Sequence, residues 1–285
     1  MSIRKLLVAA TLAALVTAPV AAADTPADAG HRGLEDLVKL RCSTDPGEEV
    51  IVWWTGVLYG LQEQQAPKPL LGFEGYNICR SQEQADGSWQ LLTRELTFYR
   101  DLVTGEIVDD WDNPYTQSSN SVVHVANDPV NTAFSVGGPA MPWAESGNTT
   151  MLSLNIPLAY PNPLSPAEFP RESSGEMYVG SEHFMFSAPR DQMDDPSLSQ
   201  VDTHVGWTRV GPWLPWMEMG GVEGRLLYVG QGNKKASIQD MPADIQARIH
   251  RDYPEYARAP SEWVQPNMTS WTYYKRLRHE ADGKN

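Results

Sequence analysis

Ten short runs of strand-forming residues, divided by turn signals, constrain this chain more than any other feature. They fall at 49–59, 72–80, 89–100, 106–111, 121–126, 132–136, 149–156, 175–187, 204–210 and 225–229. Each is rich in Val, Ile, Trp, Tyr or Thr and is bounded by Gly, Pro, Asn or Asp, as at Thr104-Gly105 and Asn113-Pro114. The third alternates cleanly: Leu92, Leu96 and Phe98 share one face with Arg94, and Thr93, Glu95 and Thr97 share the other. Helical spacing is confined to the flanks. Leu34, Leu37 and Val38 predict a helix over 33–40. Ile245 and Ile249, with Pro242 before them and Pro254 after, predict another near 242–252. Residues 269–280 fit helix or strand. Many short strands with few helices predict a mostly-β chain: an antiparallel, lipocalin-like (calycin-type) barrel or highly curved sheet with a few flanking helices, with a two-sheet β-sandwich as the alternative. A Pro-rich stretch between Leu158 and Glu172 is read as a surface excursion, or as a rim over a site.

The N-terminus carries an address. Arg4 and Lys5 precede an apolar run from Leu6 to Val16, and Ala21-Ala22-Ala23 forms a small-residue cleavage site before Asp24. Residues 1–23 are therefore expected to be a signal peptide cleaved after Ala23. Residues 24–32 read as a disordered lead and 33–285 as one domain, in the periplasm or secreted. The apolar run is too short to span a bilayer, which takes about 20 residues. Without Arg4 and Lys5, 20 basic residues face 36 acidic ones, a formal charge of −16. Such a surface repels nucleic acid and anionic lipid, so neither is an expected partner. Cys42 and Cys79 are the only cysteines. In an oxidising compartment they invite a disulfide, which would contribute roughly 3–4 kcal/mol in the chain-entropy model.

No HExxH, GxSxG, CxxC, P-loop or GxGxxG signature is present, and no cofactor or metal is expected. Three constellations could carry chemistry. In HVANDPVN, His124 sits on a strand face with Val122 and Ala126. It is a candidate acid/base, with Asp128 as its orienter; Asn127 and Asp128 at the strand end are candidates to orient it or a substrate, or else form an Asx-type turn into Pro129. In WTRVGPWLPWMEMG, Arg209 shares a face with Trp207 and needs a carboxylate or an anionic ligand. Trp213 and Trp216 are candidate pocket walls and Glu218 a candidate polar group, although packing in the core is the commoner role for tryptophans. On the strand at 175–187, Tyr178 and His183 are candidate ligand contacts. Arg94 is another, and it must be paired if buried, with Glu74 or Glu218 as possible partners. His124, His183 and His204 would make a three-histidine metal site only if the fold brought them together.

The segments YRDLVTGEIVDDWDNPYT, HVANDPVN and WTRVGPWLPWMEMG, with the late Ser270-Trp271 pair, resemble the bacterial domain-of-unknown-function family 1838, over about residues 33–275. The resemblance implies no assigned reaction and transfers no catalytic residues. It implies a bacterial family frequent in organisms that degrade aromatic and other hydrophobic compounds. Two functions are therefore expected. One is a cofactor-independent lyase, isomerase or hydrolase acting on a small hydrophobic or aromatic molecule, with His124, Asp128 and Arg209 catalytic. The other is a non-catalytic carrier or sensor of such molecules. Oligomeric state is left open.

Overall fold

The computed structural model describes residues 32–283 apart from Pro139 and Ala236; the leader and most of the lead lie outside the described residues. Helix α1 (Leu34–Arg41) opens the described chain. Its first turn is held by the Asp36 carboxylate accepting the Gly33 N–H at 2.9 Å. The strands are β1 (Val50–Leu61), β2 (Lys68–Glu83), β3 (Trp89–Arg100), β4 (Asp110–Asp112), β5 (Ser119–Ser121), β6 (Val125–Asn127), β7 (Thr132–Phe134), β8 (Trp143–Ser146), β9 (Thr149–Pro161), β10 (Met177–Pro189), β11 (His204–Gly211) and β12 (Arg225–Lys235). Helix α2 (Arg190–Met193) follows β10; α3 (Ala243–Asp252) and α4 (Ser270–Ala281) end the described chain.

One ten-stranded antiparallel sheet runs β6-β3-β2-β1-β12-β11-β10-β9-β8, with β7 also pairing β3; β4 and β5 form a separate ribbon. The β1–β12 pairing joins the first long strand to the last. The molecule is thus mostly antiparallel β with a single large curved sheet. Among the described residues the barrel does not close, because β6 and β7 at one edge make no ladder with β8 at the other. A two-sheet sandwich is not what forms.

Glycines make the bend possible. A Cβ on Gly56 would lie 2.3 Å from the Val229 carbonyl oxygen and 2.4 Å from the Phe73 ring. One on Gly230 would lie 2.9 Å from the same ring. The backbone of β1 and β12 therefore closes on Phe73, which only a residue without a side chain permits.

The convex side of β1–β3 is covered. Ile51, Tyr76, Ile78, Leu96 and Phe98 pack against Ile245 and Ile249 of α3 and against Tyr256. Arginine clamps ring this layer: Arg100 binds Glu74 and Asp244, Arg248 binds Asp109, and Arg258 and Arg80 both bind Glu49. At the other end, Cys42 and Cys79 are joined in a disulfide, with Cα atoms 6.1 Å apart, which ties the end of α1 to β2.

The 106–111 run is not a strand of the large sheet. Its aspartates favour loops: Ile107 makes only an isolated bridge to Arg100 of β3, and Asp110–Asp112 pairs with β5. The 121–126 run breaks at Val122–His124 into β5 and β6. Residues 269–280 are helix, capped by Thr269, whose hydroxyl accepts the Thr272 N–H at 3.2 Å. The short β8 carried no readable pattern.

Candidate functional site

The concave side of the sheet encloses a cavity of about 410 Å³. Inward-facing residues of neighbouring strands build it in register. Arg209 of β11 lies opposite Glu182 of β10 and Tyr228 of β12. Trp207 lies opposite Phe184, and Val205 opposite Phe186. Across the cavity, Glu95, Thr97 and Tyr99 line it from β3.

One end of the cavity is organised around Arg209. Its Nη2 donates to the Tyr178 hydroxyl, and its Nε lies 3.4 Å from the Glu182 carboxylate without hydrogen-bonding geometry. The guanidinium carbon stands 5.3 Å from the Tyr228 ring centre, 5.5 Å from that of Trp271 and 5.8 Å from that of Tyr178. Burial alone would depress the Arg209 pKa, but Tyr178, Glu182 and Tyr228 more than offset it, so the cation is held. Trp207 Nε1 donates to Glu182 at 3.4 Å.

Glu95 stands apart from this cluster. Its Oε2 accepts from Asn127 Nδ2 at 3.1 Å, and it has no ion pair among the described residues. Burial raises its pKa. The Asn127 hydrogen bond opposes that shift, Glu182 adds to it, and Arg209 acts against it across the cavity.

Three residues of the cavity wall carry a buried polar atom with no partner in hydrogen-bonding geometry, Arg209 Nε, Trp271 Nε1 and Asn127 Oδ1, while the Tyr228 and Tyr99 hydroxyls meet each other. Such atoms also occur in the convex layer, at Arg80 Nε, Arg100 Nε and Arg248 Nε. What sets the cavity apart is an aromatic lining with a carboxylate, Glu95, that has no ion pair among the described residues.

Trp271 belongs to α4. This helix is held from outside by the Pro-rich stretch: Lys275 donates to the Pro163 carbonyl at 3.1 Å and pairs with Glu168 at 3.4 Å, and His279 meets Glu168 at 2.9 Å. That stretch is therefore the brace of the helix that rims the cavity.

Of the residues singled out in the sequence, Arg209, Tyr178, Trp207 and Asn127 line the cavity and the others do not. His124 is buried at the edge of β3. Its Nδ1 accepts the Tyr99 N–H at 3.2 Å and its Nε2 lies 3.5 Å from Asp109. Burial, with Arg248 adding, pushes its pKa down to about 4 against the pull of Asp109, so it is neutral. Asp128 is not its orienter; it pairs with Arg94 at 2.8 Å. Arg94 also donates to the Glu255 and Arg258 carbonyls, so its partner is neither Glu74 nor Glu218. Trp213 is core: it donates to the Val222 carbonyl and packs on Tyr115. Trp216 is core between Tyr99 and Trp111. Glu218 pairs with Arg171 at the surface. His183 is exposed on the outer face of β10, and His204 is also exposed, so the three histidines do not meet. Among the described residues no three His, Cys, Asp or Glu side chains gather as a metal site.

The residues not anticipated as site residues are Glu95, Glu182, Tyr228 and Trp271. A usable signal existed for Glu95, a carboxylate between Thr93 and Thr97 on the polar face of a strand otherwise built like a core element.

Fold and cavity together define the class: a curled, open antiparallel sheet holding an interior site lined by aromatic rings. The chain belongs to the family described as Protein of unknown function (DUF1838), whose profile matches residues 47–278. That span contains every strand and the whole Arg209–Glu95 cavity wall, and leaves out α1. No curated protein matches the chain. Among the described residues no helix is long and apolar enough to cross a membrane.

Proposed function

We propose that this protein, exported by its N-terminal leader, binds a small hydrophobic or aromatic molecule inside the curled sheet. In this reading the sheet serves as an open counterpart of a lipocalin-like, calycin-type barrel. The observation that carries the proposal is the conjunction of an aromatic-lined cavity of about 410 Å³ with the Arg209 cation and a carboxylate without an ion pair, Glu95, among its lining residues. Apolar lining supplies affinity, and a few convergent polar groups fix orientation. Arg209 is a donor, and Glu95 is an acceptor. A ligand with an oxygen at one end and a hydroxyl or amine at the other satisfies both.

The test is titration with 1-naphthol and with indole, following quenching of the fluorescence of Trp54, Trp207 and Trp271, which line the cavity. Saturable binding is expected, weakened at least tenfold in Arg209→Met and in Trp271→Ala. Absence of saturable binding, or equal affinity in both variants, overturns the proposal.

One observation favours turnover as a second reading. Glu95, whose pKa burial raises, faces the Glu182–Arg209 pair across the cavity, which places a carboxyl and an electrostatic stabiliser in one enclosed space. Acid–base work then falls to Glu95, not to His124. Product formed by the wild type and not by Glu95→Gln, with binding retained, would establish it. Product formed equally by both would remove it.

A further inference from the structure

Arg41 lines the same cavity as Arg209, at the end where Leu37 and Leu40 of α1 pack in one cluster with Val205, Val52 and Phe134. Alone among the arginines of the described residues, it makes no hydrogen bond and no ion pair through its guanidinium. Its one contact of this kind is the Phe134 ring, 5.5 Å from the guanidinium carbon. Every other described arginine is matched: Arg80 with Glu49, Arg94 with Asp128, Arg100 with Glu74, Arg209 with Glu182. A guanidinium has five donors in a planar fork suited to a carboxylate, and the half-buried Arg41 keeps its fork open to one. Desolvation without compensation depresses its pKa to about 10. The position at the end of α1 favours a cation but supplies no acceptor to that fork.

The other charges of the cavity do not fill the gap. Glu182 is neutralised by Arg209, and Glu95 is bound to Asn127, in the part of the wall that interacts with Arg209. From Val205 to Arg209 is four residues along β11, about 13 Å of strand. The wall between carries Trp207, Phe184, Trp54 and Phe73. Cation, apolar barrel and polar cluster thus follow one another along one axis.

We propose that the ligand is a hydrophobic carboxylic acid, seated with its carboxylate on Arg41 and its apolar body against the aromatic middle of the cavity. This rests on the reading of the cavity as a ligand site and adds the chemical class. Arg41 lies outside residues 47–278, the span matched by the family profile.

The experiment compares 4-phenylbutanoate with 4-phenylbutan-1-ol, which share a skeleton and differ in the charged end. Dissociation constants are measured by calorimetry on the wild type, Arg41→Gln and Arg41→Lys. The expected result is at least tenfold tighter binding of the acid by the wild type, loss of that preference in Arg41→Gln, partial retention in Arg41→Lys, and unchanged affinity for the alcohol throughout. Equal binding of acid and alcohol by the wild type, or a preference that survives in Arg41→Gln, overturns the carboxylate assignment and leaves the cavity reading standing. Binding of neither probe overturns both.

Discussion

Strand β3 has two faces with opposite chemistry, and each does what its composition would not suggest. The face carrying Leu92, Leu96 and Phe98 looks like the wall of a pocket. It lies instead on the convex side, where Leu96 and Phe98 are sealed under α3 and the one charge, Arg94, is bound to Asp128 and two carbonyls. The face carrying Thr93, Glu95 and Thr97 looks like a solvent face, yet it lines the cavity. The difference between them is charge pairing. On the convex side arginines and carboxylates are matched by the protein itself, which builds the fold. On the concave side Glu95 has no ion pair and the Arg41 guanidinium no acceptor among the described residues, which leaves charges for something else.

The largest effect that would test this contrast is on the convex side. Phe98 is fully buried, in edge-to-face contact with His124 (5.1 Å) and Tyr253 (5.9 Å). Phe98→Ala should cost about 3–5 kcal/mol, the range for an aromatic truncated in a packed core, read by urea denaturation. The affinity of the folded variant for 1-naphthol should not change. A variant that keeps its stability, or that folds yet loses the probe, breaks the division between the faces.

The next effect is one of acid. His124 is neutral in the folded chain down to about pH 4, whereas the unfolded chain takes up its proton near 6.5. Between those values the unfolded state holds more protons, so stability falls as pH drops from 6.5 to about 4, by on the order of 3 kcal/mol. Asp109, whose carboxyl Arg248 holds below the usual 3.8, loses its contribution only in more acid solution, so the two windows separate. His124→Gln, whose side-chain oxygen can still accept the Tyr99 N–H, should flatten the upper window. Chemical denaturation at pH 7, 5.5 and 4.5 checks this, and a slope unchanged in the variant removes His124 as its source.

Much of the architecture was legible. The alternation over Trp89–Arg100 matches β3 residue for residue, and the isoleucine pair at 245 and 249 marks α3. The site was legible only where the strand carried its own contradiction, as at Arg209, a cation among apolar neighbours. His124 and Asp128 misled because a histidine beside Asn and Asp reads the same whether it faces a cavity or a covering helix. Which face of a strand becomes concave depends on the direction in which the sheet curls and on where α3 lands, and neither is a property of any one strand. Glu95 was missed for that reason: the alternation separated the two faces of β3 correctly but could not say which would be covered by protein and which would be left for a ligand. Trp271 was missed because its helix is defined by the cap at Thr269, in a segment whose apolar pattern favours neither helix nor strand.

The smallest expected effect has the opposite sign. Burial raises the Glu95 pKa above its ordinary 4.5, so this group adds no penalty below that value and destabilises the fold as pH rises through its folded pKa. Glu95→Gln keeps an oxygen for Asn127 Nδ2 and removes the charge. It should match the wild type at pH 4 and exceed it at pH 8, by less than either loss above. Asp128→Asn on the convex side should do the reverse and destabilise at pH 8, because Arg94 would lose its counterion. Thermal melts of both variants at the two pH values decide the matter. If Glu95→Gln destabilises at pH 8 as Asp128→Asn does, Glu95 is another matched group of the scaffold, and the concave face loses its distinction. If the signs differ, the carboxylate is held in the cavity at a cost to the fold, which is the mark of a group kept for a ligand.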